Sequence, residues 1–216
     1  MAYTIQRWVG FGVYVVNEQF LVMAVIYCII VGLYMPVYVR EITNNMYQVE
    51  AYLFGRFVVQ CLVYPTYSIF TAVFAFHFFG MLDDSWENAF LWFMTCMSLI
   101  LAGSTFGLMC GAIFNEQSAA LSFTTGMGSM LNLSSGLFAT IEKGRAVKYI
   151  SYFTPYRYGV ELMTRRILSK HVGKNLVLAL FNLNYGDRFC LGMMFLWSGI
   201  YLCVAWLALR IQKRNL

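Results

Sequence analysis

Apolar residues run through this chain in long blocks, and the polar residues sit between the blocks rather than alternating within them. Charges bound apolar stretches at residues 19–39, 57–82, 88–115, 117–141 and 189–209. Each has the roughly 20 residues that a helix needs to cross the hydrocarbon core of a bilayer, so the pattern predicts five membrane helices. The first reaches further back. Residues 8–16 are apolar too, and only Asn17, Glu18 and Gln19 interrupt them, which predicts one long helix over residues 8–38 with a polar trio inside it. An odd number of crossings puts the two ends of the chain on opposite sides.

Two segments break the pattern in informative ways. Residues 40–56 form a compact polar island. Read as a helix, the island places Ile42, Met46, Val49 and Leu53 on one stripe and Glu41, Asn45, Gln48 and Arg56 largely off it. It is either a short amphipathic connector or a surface lying along the membrane or a cytosolic partner. Residues 142–188 are neither a plain loop nor a full span. Thr154 offers a capping hydroxyl and Pro155 suits the first helical position. Tyr156, Val160, Met163 and Ile167 then share an apolar face, while Arg157, Glu161 and Arg165 are spaced for pairing one turn apart. This predicts an interfacial or re-entrant helix pair.

Composition narrows the class. Of 216 residues 60% are hydrophobic and 12% charged, too little polar surface for a soluble domain of this size, so the chain is expected to be an integral membrane protein. Its net charge of +5 is unevenly placed. Arg210, Lys213 and Arg214 follow the last span in the manner of a cytosolic stop beside anionic headgroups. No basic run is interleaved with aromatics for base stacking, which argues against a nucleic-acid partner.

The six cysteines lie inside apolar stretches and read as small hydrophobes; His77 and His171 are isolated, and no metal-ligand spacing occurs. Arg7 is followed by no small-residue cleavage site, so no cleavable signal peptide is expected. Asp83, Asp84 and Glu87 make a short acidic hairpin with Trp86 and suggest no catalysis. No nucleophile stands beside a base, and no filter-like loop or acidic ring suggests a channel.

Candidate chemistry lies in the helices. Ser118, Ser122, Thr125, Ser129 and Asn132 recur at steps of four and three, drawing one polar line along residues 117–141. In hydrocarbon such a line faces a wet cavity or protein partners, unless it serves close helix packing. Gly103, Gly107 and Gly111 form a small-residue ridge suited to a close helix contact. Pro65 lies in the second span beside Tyr64 and Tyr67, which suit an interfacial belt. Glu18 is either a buried functional acid or, if its helix starts at Asn17, an interfacial charge at the positive end of the dipole.

An ordered set of motifs carries a resemblance across nearly the whole chain. Arg40-Glu41, Tyr47, Ala51-Tyr52 and Gly55-Arg56 come first, then a pair of apolar helices, Ser135-Gly136-Leu137-Phe138, and finally Pro155-Tyr156-Arg157-Tyr158-Gly159. The set resembles the membrane domain of the G subfamily (White type) of ATP-binding cassette transporters, which has the ABC-2 type fold. The resemblance implies an all-α integral membrane protein. Residues 1–216 would form one partial ABC-2 type domain of five transmembrane helices, the family's second to sixth, with a cytosolic coupling helix at 40–56 and an extracytosolic re-entrant pair at 142–188. The family's first helix and its ATPase domain are missing from this sequence, which has no phosphate-binding loop. ATP and magnesium would therefore be held by a partner ATPase domain, with no cofactor and no enzymatic activity in this chain itself.

Roles follow from the same resemblance. Arg40, Glu41, Tyr47, Tyr52 and Arg56 would couple to the ATPase. Asn17, Glu18, Phe20, Ser129 and Asn132 would line the substrate cavity, and Leu137 and Phe138 would form the apolar plug below the exit. Nine of the fifteen basic residues fall between Glu142 and Arg188. A count of basic residues would place that segment in the cytosol, whereas the resemblance places it outside; a folded re-entrant segment is a poor subject for a rule about short flexible loops.

Two such membrane domains, identical or not, would pair and move lipids, sterols or other amphipathic molecules by alternating access. The alternative is a truncated, non-transporting membrane protein that dimerises with or regulates such a transporter.

Overall fold

The computed structural model describes residues 2–77, 86–114, 116–134, 151–152, 154–167 and 185–215. Every regular element among them is helical. Helix α1 (Ala2–Asn17) passes through a π-helical segment (Glu18–Val22) into α2 (Met23–Thr43) without a break. At 1.5 Å per residue this rod is about 60 Å long, roughly twice the hydrocarbon thickness of a bilayer. The long first helix expected from the apolar pattern is therefore present and longer, and its polar trio lies at the junction of α1 with the π segment.

Helices α3 (Val49–His77), α4 (Trp86–Ile113), α5 (Gln117–Leu133), α6 (Pro155–Ile167) and α7 (Asp187–Asn215) follow. Among the described residues four stretches are long and apolar enough to cross a membrane: Gly10–Thr43, Val49–Phe74, Trp86–Ile113 and Asp187–Arg214. The fifth expected span, residues 117–141, is described as helix α5 only as far as Leu133, and the plug residues Leu137 and Phe138 lie outside the described residues. The architecture is that of an all-α, multi-pass integral membrane protein.

Helix α4 is the axis of the bundle, packed between α2 and α7 with α3 also against it. The glycine ridge makes this possible. A Cβ on Gly103 would stand 2.2 Å from the Phe20 carbonyl oxygen, and one on Gly107 would stand 2.1 Å from that of Ala24, so the two backbones touch where only glycine fits. The hydroxyls buried on α4 satisfy themselves locally. Thr95 donates to the Leu91 carbonyl at 2.7 Å, and Ser104 and Thr105 donate to that of Leu101 at 2.9 Å, so each of these hydroxyls has an acceptor within its own helix. By contrast α3 turns Phe54, Leu62, Ile69, Phe70 and Val73 outward, as a lipid-facing helix does.

One expectation is corrected. Residues 40–56 are not one coupling helix. They are the end of α2, a tight turn and the start of α3. Asn45 adopts φ 54°, and the Asn45 and Met46 N–H groups donate back to the Ile42 and Glu41 carbonyls at 3.0 and 3.1 Å. This is a Schellman closure, with asparagine in the left-handed position that usually takes glycine. The apolar stripe survives only in part: Ile42, Val49 and Leu53 are 2%, 3% and 9% exposed, whereas Met46, caught in the turn, is 67% exposed.

On α6 the charged face is covered as well as the apolar one, because Arg157 and Glu161 are as buried as Tyr156, Val160 and Met163. The expected cap is present, with the Tyr156 N–H donating to Thr154 Oγ1 at 3.2 Å. Of the three spaced charges, Arg165 donates to Glu161 at 2.7 Å, while Arg157 donates to Ser151 Oγ at 2.6 Å and lies 4.6 Å over the Tyr152 ring.

Candidate functional site

At the polar trio the chain fans its side chains in different directions. Asn17 points toward α5, where Asn132 Nδ2 donates to its Oδ1 at 2.9 Å across 115 residues of sequence. The other Asn132 amide atom, Oδ1, is buried with no hydrogen-bond partner among the described residues. Glu18 points elsewhere, into a hollow shared with Tyr67, Phe70, Thr71 and Phe74 of α3. Phe20 is fully buried, its ring centroid 5.7 Å from that of Phe106 and 4.6 Å from that of Tyr156. Of the five residues assigned to a cavity by resemblance, Asn17 and Asn132 meet. Glu18 and Phe20 lie on other sides of the rod, and Ser129 is exposed.

The polar line on α5 faces away from the bundle. Ser118, Ser122, Thr125 and Ser129 are exposed, while Ala120, Thr124 and Gly128 on the other side are buried. The small residues that allow close packing within this chain are therefore not the polar line. A Cβ on Gly128 would meet the Leu21 side chain at 2.4 Å, which marks the buried face. Ser122 and Thr125 donate to the Ser118 and Leu121 carbonyls at 2.9 Å, so these hydroxyls cost little in an apolar setting yet leave oxygen lone pairs facing outward.

At the far end of the rod, four of the five residues assigned to coupling form one cluster. Tyr47 Oη donates to Glu41 Oε2 at 2.7 Å, and the Tyr47 ring stacks 6.3 Å from Tyr52. The Arg56 guanidinium lies 5.3 Å from the Tyr52 ring centroid and 4.8 Å from that of Tyr34, within cation–π range. Burial and the bond to Glu41 both push the Tyr47 hydroxyl pKa well above its usual value, so it stays a donor at any physiological pH. Arg40 is exposed and stands apart from this cluster. The end of α7 joins from the side, where Trp206 Nε1 donates to Glu50 Oε1 at 3.0 Å.

The sequence reading passed over Tyr34 and Tyr38, which are one turn apart on α2 and line the same hollow as Tyr52 and Arg56. It also passed over Gln60, one turn beyond Arg56 and almost fully buried. Their spacing of four was visible, but nothing in the sequence marked which side of each helix would be covered. Among the described residues no three His, Cys, Asp or Glu side chains come together as a metal site would need, and all six cysteines are free thiols.

The arrangement is that of a membrane domain with a polar face turned outward and a charged, aromatic turn at one end. A family model for the ABC-2 type transporter matches residues 1–168. No curated protein matches the chain. With that match covering most of its 216 residues, the chain belongs to the ABC-2 type transporter family.

Proposed function

We propose that this chain is the membrane-spanning part of an ATP-driven transporter of the G subfamily. In this reading it pairs with a second membrane domain and moves a lipid, sterol or other amphipathic molecule by alternating access. ATP and magnesium are bound by an ATPase domain that pushes on the turn joining α2 and α3. The observation that carries the reading is the outward polar line on α5 together with the Asn17–Asn132 contact beside it. A polar face turned outward at membrane depth requires a wet cavity or a protein partner. A second copy placed against α5 and the rod supplies both.

The division of labour follows from the geometry. Asn132, with one amide oxygen unbonded, offers a substrate hydroxyl or amine an acceptor at the edge of the cavity. Glu41, Tyr47, Tyr52 and Arg56 stiffen the turn into a unit able to transmit a push along α2 and α3. Leu137 and Phe138 are assigned to the apolar plug by the resemblance alone.

The test is ATP-dependent export of a fluorescent phospholipid and a fluorescent sterol from proteoliposomes holding the transporter purified with its associated ATPase. Asn132→Leu is expected to reduce transport about tenfold while ATP hydrolysis persists, from loss of one amide contact and exposure of its partner. Glu18→Gln reports separately on the α3 side of the rod. Unchanged transport in both variants would sink the cavity assignment. A purified complex that turns over no ATP and moves neither probe would favour the non-transporting regulator instead.

A further inference from the structure

Helix α3 rests on α4 and α7 and leaves a furrow between itself and the α1–α2 rod. Three hollows follow one another along it. The first, about 700 Å³, lies at the turn and is lined by Tyr34, Tyr38, Glu41, Tyr47, Tyr52 and Arg56 among others. The second, about 510 Å³, lies at mid-helix against Ile30, Gln60 and Val63. The third, about 240 Å³, is closed by Glu18, Gln19 and Phe74. Val59 lines both the first and the second, and Tyr67 both the second and the third, so the hollows adjoin one another along the helix.

The furrow has chemistry in a definite order. Arg56 at its head is a cation held between two tyrosine rings, and across from it Tyr38, 1% exposed, has a hydroxyl with no hydrogen-bond partner. One turn deeper, about 6 Å along the axis, Gln60 is also 1% exposed, and neither its Oε1 nor its Nε2 is bonded to any described residue. Below Gln60 the walls are mainly apolar as far as Tyr67, with Tyr27, Tyr64 and Thr66 adding hydroxyls. A buried carboxamide with both ends unpaired, opening into a hollow at membrane depth, is costly unless a ligand supplies the missing bonds.

We propose that the furrow binds one zwitterionic glycerophospholipid. Such a lipid carries a phosphate, an ester carbonyl and an acyl chain in this order. The phosphate takes the Arg56 guanidinium and the Tyr38 hydroxyl, the ester carbonyl takes Gln60 Nε2, and the chain runs down past Val63 to Tyr67. Glu41 lines the same head cavity, with its carboxylate already accepting from Tyr47, and it places a negative charge beside aromatic faces. That pairing suits the ammonium group of the headgroup and disfavours a purely anionic lipid. The site shares no lining residue with the Asn17–Asn132 contact, and only its far end reaches Glu18.

The experiment is native mass spectrometry of the delipidated full-length protein titrated with dioleoylphosphatidylcholine and, separately, dioleoylphosphatidylglycerol. The expected result is one tight phosphatidylcholine per chain, weakened about tenfold by Arg56→Ala and by Gln60→Leu, in line with loss of one charge-assisted or buried hydrogen bond. Arg214→Ala, an exposed cation at the same end, leaves binding unchanged. Gln60→Leu removes an unpaired buried amide for a side chain of similar size, so its fold is retained and a loss of lipid cannot be a loss of structure. Equal binding by Gln60→Leu and the unaltered protein would overturn the proposal, as would tighter binding of the phosphatidylglycerol. Cross-linking of Val63→Cys to a second copy with no lipid retained would assign the furrow to a protein contact instead.

Discussion

Glu161 shows how a single residue can be spaced for one role and placed in another. It stands one turn before Arg165 and pairs with it, yet it is fully buried and also accepts from the Tyr185 N–H. Burial outweighs these bonds and raises its carboxyl pKa above the usual carboxylate range. The folded protein therefore holds this proton more tightly than the unfolded chain. Stability from Glu161 is present in full below its unfolded pKa and is lost as pH rises through the raised folded value. The melting temperature in detergent, followed between about pH 4 and 8, is expected to fall with rising pH more steeply in the unaltered protein than in Glu161→Gln. Parallel curves would mean the carboxylate is fully compensated by its neighbours. Asn17 and Asn132 are the opposite kind of residue. Both are polar groups in apolar helices, and each offsets part of the other's cost.

Among the helices, α4 does most to hold the bundle together, and it does so by having too little side chain rather than more. Gly103 and Gly107 let the rod approach to backbone contact, so any Cβ there must push a carbonyl aside. Gly107→Val is expected to cost at least about 3 kcal/mol, at the upper end for overpacked sites because the obstacle is backbone. Gly199→Ala on α7 meets nothing within 4 Å and is expected to be neutral or to stabilise by up to about 1 kcal/mol through helix propensity. Thermal unfolding of the two variants side by side checks both. A Gly107→Val protein as stable as the original would mean that α2 and α4 do not touch as described.

For the molecule as a whole, the distribution of charge bears on how it sits in the membrane. Arg40 and Arg56 flank the turn between α2 and α3, and the Trp206–Glu50 bond brings the basic end of α7, with Arg210, Lys213 and Arg214, to the same side. At the opposite end Arg165 and Arg166 are paired with Glu161 and Asp187, and Arg157 is buried against Ser151 and Tyr152. A count of basic residues favours the second end, but Arg157, Arg165 and Arg166 there are tied into folded structure rather than displayed on a short loop, with Arg188 exposed beside them. The turn is therefore expected to be cytosolic. Asn45→Cys, at the exposed tip of that turn, is expected to react with a membrane-impermeant maleimide in inside-out vesicles and to stay unlabelled in sealed right-side-out ones. Labelling from outside would reverse the orientation and with it the coupling role of the turn.

The membrane class, the long first helix and the spans over α3, α4 and α7 were legible from sequence, because hydrocarbon demands unbroken apolar length and tolerates few charges. The glycine ridge was legible for a similar reason, since spacing by four keeps small residues on one face whatever the partner. The turn inside residues 40–56 was signalled by Asn44-Asn45 but lost beneath a stripe that reads as helix on either side of it. Periodicity places residues on a common face without saying what covers that face. It drew the polar line of α5, but packing turned that line outward and buried Ala120, Thr124 and Gly128 instead. Packing likewise brought Asn132 to Asn17 across 115 residues and opened the furrow in which Gln60 has no hydrogen-bond partner among the described residues. Contacts of this kind depend on how helices distant in sequence settle against one another, and local pattern carries no record of that.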